Sequence, residues 1–514
     1  MSDAIHWTAW GVFGFFFALV TVLGFVASRW KAADLTHLHE WGLGGRRFGT
    51  LITWFLLGGD LYTAYTVIAV PALVFGVGAY GFFAMPYTII TYPFVFAVMP
   101  RLWNVCHRNH YLTTADFVEG RYGSHWLALA IAVTGVLATM PYIALQLVGM
   151  QVVFEAMGFG GMRLGSEIAL VVAFLILALY TYSSGLRAPA MIAFVKDIMI
   201  YIFVIAAVVM IPAHLGGFGA IFDAADKAFA AKPAVPPTGL ILQPAQVTAF
   251  ASLALGSAFA LFLYPHAATG TLAASSANVI RRNAILLPTY SVALGLIALL
   301  GYMAIAAHVQ AKGNAIVPAL IMQSFPEWFA GFCYAAIALG ALVPAAIMSI
   351  GAANLVTRNI WRPYVNARMN AAQESSIAKI TSLLVKVGAL VFVVFLPLEF
   401  AINLQLLGGI WILQTFPAVV FGLFTRWFRP LPLLAAWAAG MALGTTLSWL
   451  QGVKPVYPVP GIGAVYIGLI ALVANILVAV AGTALAGAMN KARTPDATKP
   501  GDYEDAASAL TNPS

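Results

Sequence analysis

Apolar residues in this chain fall in long unbroken runs, with neither the alternation of a half-buried strand nor the one-sided stripe of a surface helix. Thirteen such runs stand at about 8–28, 49–76, 79–100, 127–156, 165–184, 189–213, 247–269, 284–308, 327–356, 379–398, 400–424, 430–450 and 462–487. Each is near the roughly 20 residues that span a bilayer as a helix. In hydrocarbon a helix satisfies its own backbone, so the pattern predicts an all-α polytopic membrane protein. The fourth and ninth runs are long enough to be tilted or bent. The connection at 214–246, with AAKPAVPPTG, is the longest on its side. One transmembrane domain is expected over 1–488, with a polar, disordered cytoplasmic tail over 489–514. The first run has no basic segment before it and no small-residue cleavage site, so it reads as a retained helix.

Two of these runs are interrupted. The second reads LITWFLLGGDLYTAYTVIAVPALVFG, with Asp60 directly after Gly58-Gly59. An acid at membrane depth is costly and marks function by default. Paired glycines are a natural place for a helix to open and free its carbonyls. Asp60 with the Gly58 and Leu61 carbonyls is therefore a candidate cation cage, or Asp60 a proton acceptor, with Thr63 and Thr66 offering hydroxyls beyond it. The seventh run carries Tyr264-Pro265-His266. Proline breaks a helix there, and broken helices mark substrate sites in transporters. His266 can meet a carboxylate, carry a proton or bond a core carbonyl. The interruptions lie five spans apart, the pattern of an inverted repeat of five helices with repeats at about 49–213 and 247–424.

Composition agrees. The 514 residues are 62% hydrophobic and 9% charged, against about 25% charged in soluble domains. The net charge of +8 comes from short loops and is a topology signal, not a nucleic-acid footprint. With the N-terminus outside, the inside loops hold 19 Lys and Arg and the outside loops 5, which gives N-out and C-in. Lys196 and Lys386 fall within spans. Lys196 adjoins Asp197 in MIAFVKDIMIYIFV, but adjacent helical residues point about 100° apart and need not pair. Asp197 is expected to face the bundle, as a coupling residue or in a packing ion pair, while Lys196 could snorkel. Tyr142 and Gln146 lie one turn apart on the fourth run and could line a cavity. Asn403, Gln405, Gln414 and Thr415 read as helix–helix hydrogen bonds. Cys106 and Cys333 suggest neither a disulfide nor a metal site.

GLGGRRFG, YLTTADFVEGRYG, YIALQLVGMQVVF, SSGLRAPAMIAFVKDIMIYIF, YPHAATGTLAASS and TRNIWRPYV follow in an order that resembles the sodium:solute symporter family over about residues 40–430. The resemblance implies the leucine-transporter-like fold with thirteen spans and a 5+5 inverted repeat. It points most to the bacterial monocarboxylate permeases, inner-membrane carriers of lactate, pyruvate and related acids. The residues themselves make Gly58, Asp60, Leu61 and Asp197 the candidate cation ligands, and Thr63, Tyr142, Gln146, Tyr264 and His266 the candidate substrate contacts. Two positions depart. Most members have an acid at Asn359. The family's second sodium site uses paired hydroxyls in the ninth span, and alignment back from TRNIW places Leu342-Val343 there. Sodium is the expected coupling ion and the proton the alternative, with no organic cofactor and an unknown oligomeric state.

Other classes fit less well. A carrier-like sensor would need a signalling module, and the tail is too short for a kinase. An enzyme is not expected, since Gly-x-Ser-x-Gly and His-Glu-x-x-His are absent, and no nucleotide-binding loop suggests a primary pump.

Overall fold

A computed structural model describes residues 5–30, 34–159, 163–232, 238–395 and 401–505. Among them are eleven helices long and apolar enough to cross a membrane. The second run is two shorter apolar helices, Thr50–Gly59 and Tyr65–Val77, and the tenth, up to residue 395, lies in the 25-residue helix Ala371–Phe395, its last residues falling outside the described ones. The ninth, Glu327–Leu355, is buried at every residue from Cys333 to Leu355, so it is the central post of the bundle. The fourth, His125–Phe154, and the sixth, Arg187–His214, pack directly on it.

The long connection after the sixth span is not all loop. Gly217–Ala230 is an amphipathic helix whose buried Ile221, Ala225 and Phe229 recur every fourth residue. Its apolar face covers the eighth span at Pro288–Ala306. The last run starts later than expected. Val456–Val459 and Gly463–Tyr466 form an antiparallel hairpin, with Val456 opposite Tyr466, and the helix begins at Ile467. The β-branched and aromatic residues of VYPV and GAVY suit a strand.

The tail departs from the disordered segment expected of it. Residues 491–505 fold back along the face that carries the basic loops. Arg121 Nη1 meets Asp496 at 2.5 Å, and the Ala497 N–H donates to the Gly120 carbonyl at 2.8 Å. Tyr503 is buried with its ring toward Phe117. A polar composition forecast disorder because it counts only the segment's own apolar content, and here loop arginines supply the partners. Residues 506–514 lie outside the described residues, as does the Asn403 side chain.

Candidate functional site

The second span is helical through Gly59 and opens over Asp60–Thr63 before winding again. The two glycines serve packing as well as the break. A Cβ on Gly58 would lie 2.2 Å from Tyr290 Cζ, and one on Gly59 3.0 Å from Lys196 Nζ. The restarting helix is capped from within. The Thr63 N–H donates to Thr66 Oγ1 at 2.9 Å and the Tyr65 N–H to Thr63 Oγ1 at 3.1 Å. The Ala64 N–H is met from the fourth span by Gln146 Oε1 at 3.0 Å, and Gln146 Nε2 donates to the Tyr142 carbonyl. The hydroxyl of Thr63 and the amide of Gln146, read from sequence as substrate contacts, are thus engaged on the backbone. A broken helix leaves orphan donors that something must meet.

The seventh span breaks at Phe262–Tyr264 and resumes as Pro265–Leu272. Proline fits the first helical turn, where its missing N–H costs nothing. Gly351 of the ninth span lets this turn approach, since a Cβ there would be 2.9 Å from the Pro265 carbonyl carbon. His266 then points at the second span. Its Nε2 is 3.6 Å from Asp60 Oδ2, longer than a hydrogen bond. Asp60 Oδ1 and both His266 ring nitrogens are buried with no hydrogen-bond partner among the described residues. The rings of Tyr142 and Tyr264 flank His266 at 5.5 and 5.1 Å.

Beside this pair lies a cavity of about 30 Å³ lined by Tyr65, Tyr87, Tyr142, Tyr264 and Gln405. Such a space holds a water or two, so the centre is closed and a larger ligand needs the helices to part. Sequence reasoning gave Gln405 a helix–helix bond, but among the described residues its Oε1 has no partner, nor does the Tyr264 hydroxyl. Gln414 does make the bond expected of it, accepting from Asn475 Nδ2 at 3.1 Å. Tyr65 and Tyr87 were missed because a tyrosine within an apolar run looks like packing.

The expected carbonyl pair is replaced by another. Gly58 O accepts the Leu61 N–H at 2.9 Å. Gly59 O and Tyr62 O instead face Lys196 Nζ, at 2.5 and 3.4 Å. Lys196 also meets Asp197 Oδ1 at 2.9 Å, and both side chains are fully buried. The neighbours therefore do pair, and Lys196 does not snorkel. Asp197 Oδ2 accepts from the Tyr290 hydroxyl at 2.9 Å. The ninth span presents apolar Leu342 and Val343, both buried, and Ser349 bonds its own Ala346 carbonyl. These oxygens do not fit a sodium ion while the ammonium holds them.

Asn359 donates to Asp116 at 2.8 Å and accepts from Thr113 at 2.7 Å. Arg358 joins Asp116 and Glu374. The short helix Thr114–Tyr122, which reads as a loop from the sequence, is thereby tied through its N-cap Thr113 and Asp116 to the end of the ninth span.

Two discontinuous helices crossing at buried, unpartnered polar groups inside a many-helix apolar bundle define a membrane carrier. The chain belongs to the sodium:solute symporter family, whose profile matches residues 41–430. It is 60% identical over 490 residues to a monocarboxylate transport permease protein of Rhizobium johnstonii, covering 94% of this chain and 98% of that one. It is 35% identical over 409 residues to the uncharacterized symporter YodF of Bacillus subtilis, covering 79% and 81%. Its fold is that of a solved Na+-coupled sialic acid symporter in a substrate-bound outward-open state, at a TM-score of 0.77 and 13% identity over 93% of this chain and 97% of that one. The fold is leucine-transporter-like, and the chain is a multi-pass protein of the bacterial inner membrane.

Proposed function

We propose that this symporter takes up small monocarboxylates such as lactate or pyruvate, driven by a coupling cation, by alternating access around the two helix breaks. The observation that carries the reading is the meeting of Asp60 and His266, one from each break, with three buried polar atoms unpartnered. Such atoms are costly in a closed bundle unless a ligand meets them in another state. In this reading His266 and the first-turn N–H groups of Pro265–Leu272 receive the carboxylate, since a helix N-terminus favours an anion. Asp60 and Asp197 respond to the cation. The rings of Tyr142 and Tyr264 close on the short acyl chain. The Rhizobium relative's description supports the substrate class, and the basic loops support N-out and C-in.

Sodium is the coupling ion supported by the family and by the fold neighbour. A second reading, the proton, is favoured by Lys196 standing among the oxygens freed at the break. No catalytic step is assigned to any residue. The test is uptake of labelled lactate and pyruvate by reconstituted protein, with sodium and proton gradients imposed separately. Accumulation on at least one gradient is expected. Uptake indifferent to both would remove the symport reading.

A further inference from the structure

We propose that the trough between the last two spans, bounded on one side by the docked tail, is a binding site for an anionic phospholipid. Pro430–Leu450 and Ile467–Ala488 pack along each other at the edge of the bundle. Gly482 lets them meet, since a Cβ there would lie 3.1 Å from Pro432 Cβ. Beside that contact, at the end of the bundle that carries the basic loops, lies a cavity of about 500 Å³. Its apolar wall is one face of each helix. Leu431 and Ala435 are four residues apart, and Leu485, Ala486 and Met489 follow Gly482 at three, four and seven. Leu431, Leu485 and Met489 are 67%, 62% and 58% exposed. Exposed apolar side chains on a peripheral span meet acyl chains as a matter of course, so the wall alone assigns nothing.

The charge beside the wall does. Arg121, Arg426, Arg429, Lys491 and Arg493 line the cavity with a single acid, Asp496, so five cations face one carboxylate. Asp496 is held by Arg121 at 2.5 Å and lies 3.7 Å from Arg426 Nε. The remaining bonds go to neutral carbonyls. Arg426 donates to Thr498 O at 3.0 Å, Arg493 to Arg426 O at 3.1 Å, and Arg429 to Lys491 O. A carbonyl orients a guanidinium without neutralising it. Among the described residues no carboxylate pairs with Arg429, Lys491 or Arg493. Oriented positive charge over an apolar trough matches a phosphate that carries acyl chains. Guanidinium forks fit phosphate oxygens, and basic pockets between membrane helices take anionic headgroups in this way. A soluble phosphate would leave the wall uncovered, and a zwitterionic lipid would leave the excess charge unmatched. The headgroup therefore sits among Arg429, Lys491 and Arg493, with its acyl chains along Leu431, Leu485 and Met489. Lys491 and Arg493 belong to the tail, so the bound lipid also joins the tail to the spans.

The test uses the full chain in phosphatidylcholine nanodiscs that contain a minor fraction of phosphatidylglycerol or cardiolipin. The protein is extracted in neutral detergent, and the lipid it retains is measured by mass spectrometry of the intact complex. The anionic lipids should be enriched over phosphatidylcholine by about tenfold or more. Lys491→Gln should lower this about fivefold, and Lys491→Gln with Arg493→Gln about 25-fold, at about fivefold per charge near the headgroups. If the double variant undocks the tail, seen as fast deuterium exchange at the Ala497 amide, Lys491→Gln alone decides. Inorganic phosphate at matched concentration should not displace the lipid. Three outcomes overturn the inference: phosphatidylcholine retained as well as the anionic lipids, retention unchanged in Lys491→Gln, or displacement by inorganic phosphate, which would make this a site for a free anion. None of these readouts depends on what the carrier transports.

Discussion

His266 Nε2, on the seventh span, lies 3.6 Å from Asp60 Oδ2 on the second, and among the described residues neither His266 Nδ1 nor Asp60 Oδ1 has a hydrogen-bond partner. The pair joins the two broken helices, so loss of either side chain should affect transport more than folding. Asp60→Asn keeps the shape and removes the charge. It should lower gradient-driven accumulation by about 5- to 150-fold, the range of a coupling free energy of 1–3 kcal/mol, with lactate exchange preserved. His266→Ala should raise the lactate concentration for half-maximal uptake by about tenfold or more, since a hydrogen bond to a charged group contributes about 1.5–3 kcal/mol. Unchanged uptake kinetics in both variants would make the pair structural.

The spans and the two breaks were legible because a bilayer demands long apolar runs and punishes any interruption. Asp60 and Pro265 stood out for that reason. What the break does with its freed groups was not legible. Lys196 and Asp197 are neighbours on one helix, and only the bend of the second span toward them brings the Gly59 carbonyl to Nζ. Gln146 looked like a cavity residue because sequence cannot tell an amide facing a ligand from one capping a broken helix. The docked tail escaped notice because its partners, Arg108, Arg121 and Arg281, lie hundreds of residues away.

Gln146 offers a direct test of the capping role. Its Oε1 holds the buried Ala64 N–H. Gln146→Leu leaves that donor unmet and should cost about 1–3 kcal/mol, read as a fall in melting temperature of the purified protein. Gln146→Glu keeps an acceptor and should melt closer to the wild type. Equal melting of the leucine variant and the wild type would show that the amide is not needed to hold the break.

Glu40 and Arg187 form a second buried lock, at the start of the sixth span. Arg187 Nη2 meets Glu40 Oε2 at 2.5 Å, Nη1 donates to the Glu40 carbonyl at 2.8 Å, and Arg187 is 1% exposed. Removing one partner of a buried pair strands the other. Glu40 Oε1 keeps Arg47 Nη2 at 3.2 Å, so Arg187→Ala should destabilise by at most about 3–5 kcal/mol, and the double change Arg187→Met with Glu40→Leu by less. Thermal melting of the three proteins measures the difference, and a double variant no better than the single one would count against the stranded-charge account.

The loop before the second span adds a pH dependence. Burial, with Arg46, Arg47 and His37 nearby, holds His39 below the ordinary histidine value of 6.5, against the pull of Glu40. The unfolded chain then binds this proton at higher pH than the folded one, so stability is present above pH 6.5 and declines as pH falls through it. Asp34 is held below 3.8 by its bonds to Thr36, and its contribution is lost only at more acid pH. Melting temperature should fall between pH 7.5 and 5.5, a window set by the His39 value. His39→Gln should flatten that fall, and an unchanged slope would assign the acid sensitivity elsewhere.

The tail makes the last claim. Thr498 Oγ1 bonds Asp496 and lies 2.8 Å from the Tyr503 hydroxyl, while Arg121 holds Asp496 and also donates to the Gly422 and Thr425 carbonyls. Tyr503 thus anchors a strap across the helix ends near Arg121 and Arg426. Burying a large side chain contributes about 1.5–3 kcal/mol, enough to hold 15 residues in place only with these bonds. In the wild type, the amides of Ala497 and Asp502, which donate to Gly120 and Lys499, should exchange slowly with solvent deuterium. Tyr503→Ala should release both amides together and leave exchange in the ninth span unchanged. Release of Asp502 alone would mean that Arg121, and not the tyrosine, is the anchor.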